Sequence, residues 1–289
     1  MKLIADSGST KTSWSIVIDD STSFIVHTPG INPVRDDEAT ISAVVHGARA
    51  AIDAKLQQEQ ASSFVHDLAF SHVYFYGAGC LPAFIAPLVC LLEDVFPSAK
   101  IAVESDLLGA ARALCGHSEG IACILGTGAN SCLYDGKQIV RNVSPLGWIL
   151  GDEGSGAVLG RLLVSDILKG QLPKPLCEAF MQRFDLTQTA IIEAVYRQPQ
   201  ANRFLASLVP FLAEHRDEPA VHNLLVREFV RFFTRNVVAY GRPDLSVNFV
   251  GGIAYQFEDE LREAAEEFGF IVGLILRNPI QRLGAFHHE

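Results

Sequence analysis

The sequence predicts an α/β fold of two domains around a central cleft. Three observations predict it. The chain is 289 residues long, enough for about two domains at ~150 residues each. Short apolar runs alternate with helical stretches and small-residue turns, the pattern of mixed α/β chains. One order of elements also occurs twice: strand, Gly/Thr turn, strand, strand, then helices, starting near Lys2 and again near Gly120. No low-complexity linker separates the halves, so the boundary reads as a compact hinge near Asp106.

The first half opens with the apolar run Lys2–Ala5, a turn of small residues through Thr12, and a returning strand at Trp14–Ile18. That sequence of features is a β-hairpin whose loop is rich in backbone N–H groups. Ser23–His27 reads as a third strand, ended by Pro29-Gly30. Asp36-Asp37-Glu38 places acids ahead of a helix at Ala39–Gln58, where the helix dipole favours them. Val73–Tyr76 is a strand running into Gly77-Ala78-Gly79, Ala83–Glu93 a helix, and Lys100–Val103 a strand leading to Asp106. In the second half Leu107–Leu114 suits a helix and Gly120–Leu125 a strand. Ser131–Tyr134 returns from the turn Gly126–Asn130, and Asp135-Gly136 signals a hairpin into Lys137–Val143. Gly154–Lys169 and most of 176–242 read as helical. Val247–Val250 is a strand ending at Gly251-Gly252, followed by a charged helix at Phe257–Phe268.

Composition narrows the function classes. Hydrophobic residues are 49% and charged residues 19% of the chain, too apolar for disorder. The formal net charge of −10 runs against nucleic-acid binding, which normally shows a basic excess. The longest apolar run, Leu81–Leu92, holds two prolines and is too short to span a bilayer. Asp6 interrupts any signal-peptide core. Six cysteines fall at irregular spacings without a C-x-x-C pair, so neither a disulfide scaffold nor a zinc site is indicated. A reduced, cytoplasmic setting is expected.

Three motifs carry chemistry. In Asp6-Ser7-Gly8-Ser9-Thr10-Lys11-Thr12, a small-residue loop lets backbone N–H groups approach phosphate oxygens. The carboxylate at its start can hold Mg²⁺ through water. An ordinary hairpin turn with an Asx cap is the plainer reading. Gly126-Thr127-Gly128-Ala129-Asn130-Ser131 sets a second turn of N–H and hydroxyl donors between apolar strands, with a Gly-rich hairpin as its plainer reading. Gly251-Gly252 follows a buried strand and would let a flat ring or a phosphate lie against backbone. A tight strand-to-helix turn explains that pair equally. Two Gly/Thr turns, each opening its own half, suggest phosphates clamped between the domains.

In this order the motifs resemble the phosphate-1, phosphate-2 and adenosine motifs of the actin-like ATPase and sugar-kinase superfamily. The chain is most similar to its N-acetylglucosamine kinase-like branch, the BadF/BadG/BcrA/BcrD ATPase family. Gly30-Ile31-Asn32-Pro33, Ser105-Asp106 and Pro145–Gly156 extend the resemblance over nearly the whole chain. Ser13 departs from it, since relatives often carry an acid after the Lys-Thr pair. The resemblance implies two ribonuclease H-like (actin-like ATPase) domains, 1–106 completed by 277–289, and 107–276. It implies ATP and Mg²⁺ as cofactors. Asp6, Gly8, Ser9, Thr10, Lys11, Thr127, Gly128, Gly251 and Gly252 would bind the nucleotide, with Asp6 toward the metal. Asn32, Ala129, Asn130, Gly147 and Asp152 would contact an amino sugar, and Asp106 would accept the proton of the attacking hydroxyl. Without the resemblance, a helix N-cap at Asp106 and a pair of acids at a helix start at Asp152-Glu153 are the plainer readings compatible with the sequence.

The implied function is an ATP-dependent kinase acting on the 6-hydroxyl of N-acetylglucosamine or a close relative. The partner is then a small-molecule amino sugar, with no nucleic acid and no membrane, and a homodimer is left open. The same family also contains ATP-driven activators of 2-hydroxyacyl-CoA dehydratases and related reductases, which hold an iron–sulfur cluster through cysteines. Cys80, after Gly77-Ala78-Gly79, is the least unsuitable ligand for one. A nucleotide-binding regulator without catalysis is disfavoured by Asp106 and the Gly147–Gly156 stretch. A zinc-bearing glucokinase is disfavoured by the absent C-x-C-G-type cluster. Phe229, Phe232 and Phe233, at near-helical spacing, read as core, and His287-His288-Glu289 as a solvated tail.

Overall fold

Lys2–Ser7 forms the central strand of the first sheet because it is covered on both faces. Leu3, Ile4 and Ala5 are all fully buried, and a strand buried on both sides reads as a continuous apolar run. The computed structural model describes residues 1–8, 10–19, 22–59 and 69–287. The chain divides into two units, Met1–Gly116 with Asn278–Glu289, and His117–Arg277. The helix that follows Asp106 thus belongs to the first unit, and the change of unit comes after Gly116.

The first unit contains β1 (Lys2–Ser7), β2 (Lys11–Val17), β3 (Ser23–Pro29), β4 (His72–Gly77) and β5 (Lys100–Ser105). The sheet order is β3-β2-β1-β4-β5. β1 pairs antiparallel with β2 and parallel with β4, and β4 pairs parallel with β5. Register aligns Ser7, Gly77 and Ser105 in one row at the carboxyl edge of the parallel strands. One face of the sheet buries Leu3, Trp14, Val73 and Phe75 against Ile41, Val45 and Ile52 of helix Glu38–Glu59 and Leu88 and Leu92 of helix Ile85–Val95. The helices Asp106–Cys115 and Ile280–Phe286 pack together and on β1.

The C-terminal segment is tied down rather than solvated. His287 stacks on Tyr74 at 3.6 Å, and its Nε2 lies 2.7 Å from the Tyr76 hydroxyl. That hydroxyl also accepts from Arg112 Nη1 at 2.7 Å, and Lys2 Nζ donates to the His287 carbonyl. The solvated tail expected at 287–289 is therefore corrected at His287, while His288 and Glu289 lie outside the described residues.

The second unit contains β6 (Glu119–Leu125), β7 (Ala129–Asp135), β8 (Ile139–Val143), β9 (Val247–Val250) and β10 (Val272–Leu276). Its order, β10-β9-β6-β7-β8, repeats that of the first sheet strand for strand. The directions repeat too: β6 pairs antiparallel with β7 and parallel with β9, and β10 is parallel to β9. The duplication read from the sequence is thus present in topology. The segment 176–242 is mostly helical as expected, and Phe229, Phe232, Phe233 and Phe249 are fully buried in this unit's core. At the end of helix Pro219–Phe232, residues Phe233–Val237 widen into a turn of π-helix.

Candidate active site

In the first unit the candidate side chains gather at the carboxyl edge of the parallel strands, where α/β sheets place their ligands. Asp6 is the penultimate residue of β1, and Asp106 comes one residue past β5. The two carboxylates are electrostatic neighbours. Burial, and next the charge of Asp106, push the Asp6 carboxyl up to about 7, against a lowering pull from Lys11. Burial likewise raises Asp106, opposed by the backbone N–H of Leu107, which donates to its Oδ1 at 2.8 Å. The N-cap of helix Asp106–Cys115 is Ser105, whose Oγ accepts from Leu108 N at 3.2 Å. The capping role that the sequence leaves open for Asp106 is filled by its neighbour.

Two buried hydroxyls set the loop beside Asp6. Ser7 Oγ and Thr12 Oγ1 are 2.7 Å apart. Ser7 Oγ also accepts from Ile31 N at 2.9 Å, and Thr12 Oγ1 donates to the Pro29 carbonyl at 3.1 Å. The hairpin is thereby bonded to the segment that carries Asn32. Within it Gly8 N donates to Lys11 O at 3.0 Å, and Thr10 O accepts from Gly30 N at 3.1 Å. Gly8, Thr10 and Lys11 are exposed, and Ser9 lies outside the described residues. A Cβ on Gly8 would meet nothing nearer than 3.9 Å, so that glycine keeps space open rather than permitting an unusual backbone.

Asn32 is held from three sides. Its N–H donates to Asp36 Oδ2 at 2.8 Å, and its Oδ1 accepts from Val34 N at 3.0 Å. Its amide packs close against Gly79, where a Cβ would come within 2.2 Å of Oδ1. Gly79 also has φ +77°, a left-handed conformation that suits glycine. Sequence reading took Gly77-Ala78-Gly79 as a strand end and missed this contact.

The second unit builds a separate cluster around the turn Gly126–Asn130. Gly126 N donates to Gly128 O at 2.9 Å, closing the turn. The start of helix Gly156–Leu168 docks on it, Gly156 N donating to Gly126 O at 2.8 Å and Ala157 N to Thr127 O at 3.1 Å. Asp152 approaches from the other side: a Cβ on Gly128 would sit 3.0 Å from its Oδ2. Burial raises the Asp152 carboxyl to about 6, countered by the backbone N–H of Ala129 and, less, of Gly147. The structure therefore brings Gly128, Ala129, Gly147 and Asp152 together. Asn130 Oδ1 accepts from Ser131 N at 2.9 Å and from Asn142 Nδ2 at 2.9 Å, so its amide orientation is set within β7 and β8.

Gly251 has φ +128°, and a Cβ there would strike the Leu125 carbonyl at 2.2 Å. Close passage of two backbones is the reason for that glycine. Gly252 faces open space and borders a cavity of about 680 Å³ that Gly126, Thr127 and Gly156 also line. Val209, Pro210, Ile253, Tyr255, Gln256 and Arg277 also line it. A lining that combines apolar side chains with glycine and threonine suits a flat aromatic ring joined to phosphates. Of these, sequence reading found Thr127 and Gly252 and missed the apolar lining.

Two carboxylates at one strand edge also match a hydrated Mg²⁺, which is usually held by one or two carboxylates together with substrate phosphates. A divalent cation would offset the repulsion that raises Asp6. Among the described residues no cluster of three His, Cys, Asp or Glu side chains forms a metal cage, and no helix is long and apolar enough to cross a membrane. Burial pushes the Cys80 thiol up to about 12, which works against a thiolate ligand for a cluster.

No family model matches the chain. A candidate N-acetylglucosamine kinase from Porphyromonas gingivalis, of solved structure, is 48% identical, covers 100% of this chain and 99% of its own, and superposes with a TM-score of 0.93. The glucokinase of the ROK family from Streptomyces griseus, solved with glucose and AMPPNP, is 18% identical over 99% of this chain and 97% of its own, with a TM-score of 0.53. That second likeness concerns the fold alone. A curated relative, the glucosamine kinase GspK of Vibrio cholerae, is 33% identical over 99 residues, 32% of this chain. The match spans about a third of that kinase's length, 33%.

Proposed function

The chain belongs to the N-acetylglucosamine kinase-like family of the actin-like ATPase and sugar-kinase superfamily, and on that premise we propose that it is an ATP-dependent amino-sugar kinase. It transfers the γ-phosphoryl group of ATP to the 6-hydroxyl of N-acetylglucosamine or a close relative. The observation that carries this reading is Asp106. Its carboxyl is raised by burial and stands at the carboxyl edge of β5, while Ser105 takes over the helix cap. A carboxylate left out of the cap and shifted toward neutrality suits a general base.

Phosphoryl transfer asks the protein mainly for positioning and charge neutralisation. Asp106 accepts the hydroxyl proton as the sugar oxygen attacks. Asp6, in one register row with Tyr76 and Glu104, would hold Mg²⁺ through water. The cation neutralises phosphate charge when bound. Gly8, Ser9, Thr10 and Lys11 form one phosphate loop, and Thr127 with Gly128 the other. The cavity lined by Gly126, Thr127 and Gly252 takes the base and ribose. Asn32, Ala129, Asn130, Gly147 and Asp152 bind the sugar hydroxyls and its 2-substituent, using amide, carboxylate and backbone groups. The activator reading finds no support in Cys80, whose thiol is held protonated by burial.

A coupled assay of ADP release over a panel of hexoses and amino sugars tests the proposal. N-acetylglucosamine or glucosamine should be the best acceptor. Turnover that is equal with and without every sugar would overturn it.

A further inference from the structure

Four residues between 146 and 154 have left-handed backbone: Leu146 at φ 63°, Gly147 at 74°, Asp152 at 52° and Gly154 at 73°. Such a segment persists only when its surroundings over-determine it. The anchors are adjacent to Asp152. Glu153 is 5% exposed, and its Oε1 is ion-paired with Arg235 Nε. Its Oε2 accepts from Asn236 Nδ2 at 3.3 Å. Both partners come from the π-helical turn Phe233–Val237, and Asn236 Nδ2 also donates to the Phe232 carbonyl at 3.2 Å. Next along the chain, Gly154 N donates to Glu228 Oε1 at 3.3 Å, and Glu228 Oε2 accepts from Arg231 Nη1 at 3.0 Å. Glu228 is itself 1% exposed.

Two buried glutamates within one loop–helix junction are costly unless each is paired, and here each has its own arginine. An uninterrupted α-helix would give residues 233–237 a different rotation about the axis. π-turns of this kind recur at functional sites. Phe233 and Val237 of the turn are themselves buried in the core, while Arg235 and Asn236 meet Glu153. The turn's effect is to deliver a guanidinium and an amide to the residue that follows Asp152.

We propose that Glu153, clamped by Arg235 and Asn236 of the π-turn, is a positioning residue that fixes the Asp152 carboxylate against Gly128 and so sets sugar affinity. The inference rests on the reading of Asp152 as a sugar contact. Weakening one charged hydrogen bond from Asp152 to the sugar should cost about tenfold in sugar binding.

The test is calorimetric titration of N-acetylglucosamine into the full chain, with AMPPNP and Mg²⁺ present, for wild type, Asp152→Asn, Glu153→Gln and Arg235→Gln. Arg235 is half exposed, at 52%, so its variant keeps the test alive if Glu153→Gln does not fold. Glu153→Gln and Arg235→Gln should each weaken sugar binding about tenfold and leave AMPPNP affinity within twofold. Arg235→Lys should restore part of the loss. A merely structural role would lower the active fraction and leave the affinity of the folded fraction unchanged, which overturns the proposal. If Asp152→Asn weakens sugar binding but neither clamp variant does, positioning fails alone. If Asp152→Asn itself leaves sugar binding unchanged, the sugar reading of Asp152 fails and the clamp proposal falls with it.

Discussion

Gly79→Ala separates a backbone cost from a site cost. The left-handed φ of +77° at Gly79 penalises any L-side chain by ~1–2 kcal/mol. Its new Cβ would also begin 2.2 Å from Asn32 Oδ1, so the amide must retreat by about 0.8 Å to reach a 3.0 Å contact. That shift strains the bond from Val34 N that orients Asn32. The expected outcome is a melting temperature lower by roughly 2–8 °C and a sugar KM raised about tenfold, with the KM for ATP little changed. Gly241→Ala is the matched control. It has φ +67° and open space around its Cβ, so it should lose similar stability without touching sugar KM. Thermal unfolding by circular dichroism and steady-state kinetics measure both. If the two variants show the same stability loss and the same sugar KM, the packing of Asn32 on Gly79 has no role in recognition.

Asp106→Asn keeps volume and much hydrogen bonding but removes the proton acceptor, so kcat should fall ~10²–10⁴-fold while calorimetric binding of both substrates survives; turnover within about threefold of wild type refutes the base assignment. Gly128→Val should raise KM for ATP and for sugar together, because its side chain would press on Asp152 Oδ2, only 3.0 Å from the Cβ position; unchanged kinetics in a folded variant would reduce that turn to a hairpin. His287 gives a pH signature. Burial, then the charge of Arg112, lower it from 6.5 to about 4 in the folded chain. The unfolded chain therefore binds the extra proton between those values, and stability should be full above about pH 6.5 and decline toward pH 4. His287→Gln should flatten the denaturant midpoint across that window; an equal decline in both proteins assigns the effect elsewhere.

Much of the fold could be read locally. β1, β2, β6 and β7 are apolar runs bracketed by glycine turns, and their hairpin pairing needs only neighbours in sequence. β10 was missed, since Val272–Leu276 is short and interrupted by Gly273, whose Cβ would lie 2.4 Å from Asn248 Oδ1. That glycine makes sense only beside β9. The site shows the same division. Thr127 and Gly128 sit in a dense motif, because backbone donors suited to phosphate must be consecutive, and Asp6 and Asp152 each lie within such a small-residue stretch. The cavity wall does not: Val209, Pro210, Tyr255 and Arg277 come from distant helices and a strand end, and their shared surface is a property of packing. Glu153 reads in sequence as one of two acids at a helix start. Its pairing depends on a π-turn that no periodicity announces.

The product of a single incubation tests the kinase reading most directly. The protein, Mg²⁺, ATP and N-acetylglucosamine should yield ADP and a sugar 6-phosphate in equal amounts, identified by phosphorus NMR and mass spectrometry, with little ADP formed when the sugar is omitted. Glucosamine 6-phosphate from glucosamine would keep the reaction class and change only the preferred acceptor. ADP and inorganic phosphate in equal amounts, at a rate no sugar alters, would contradict it.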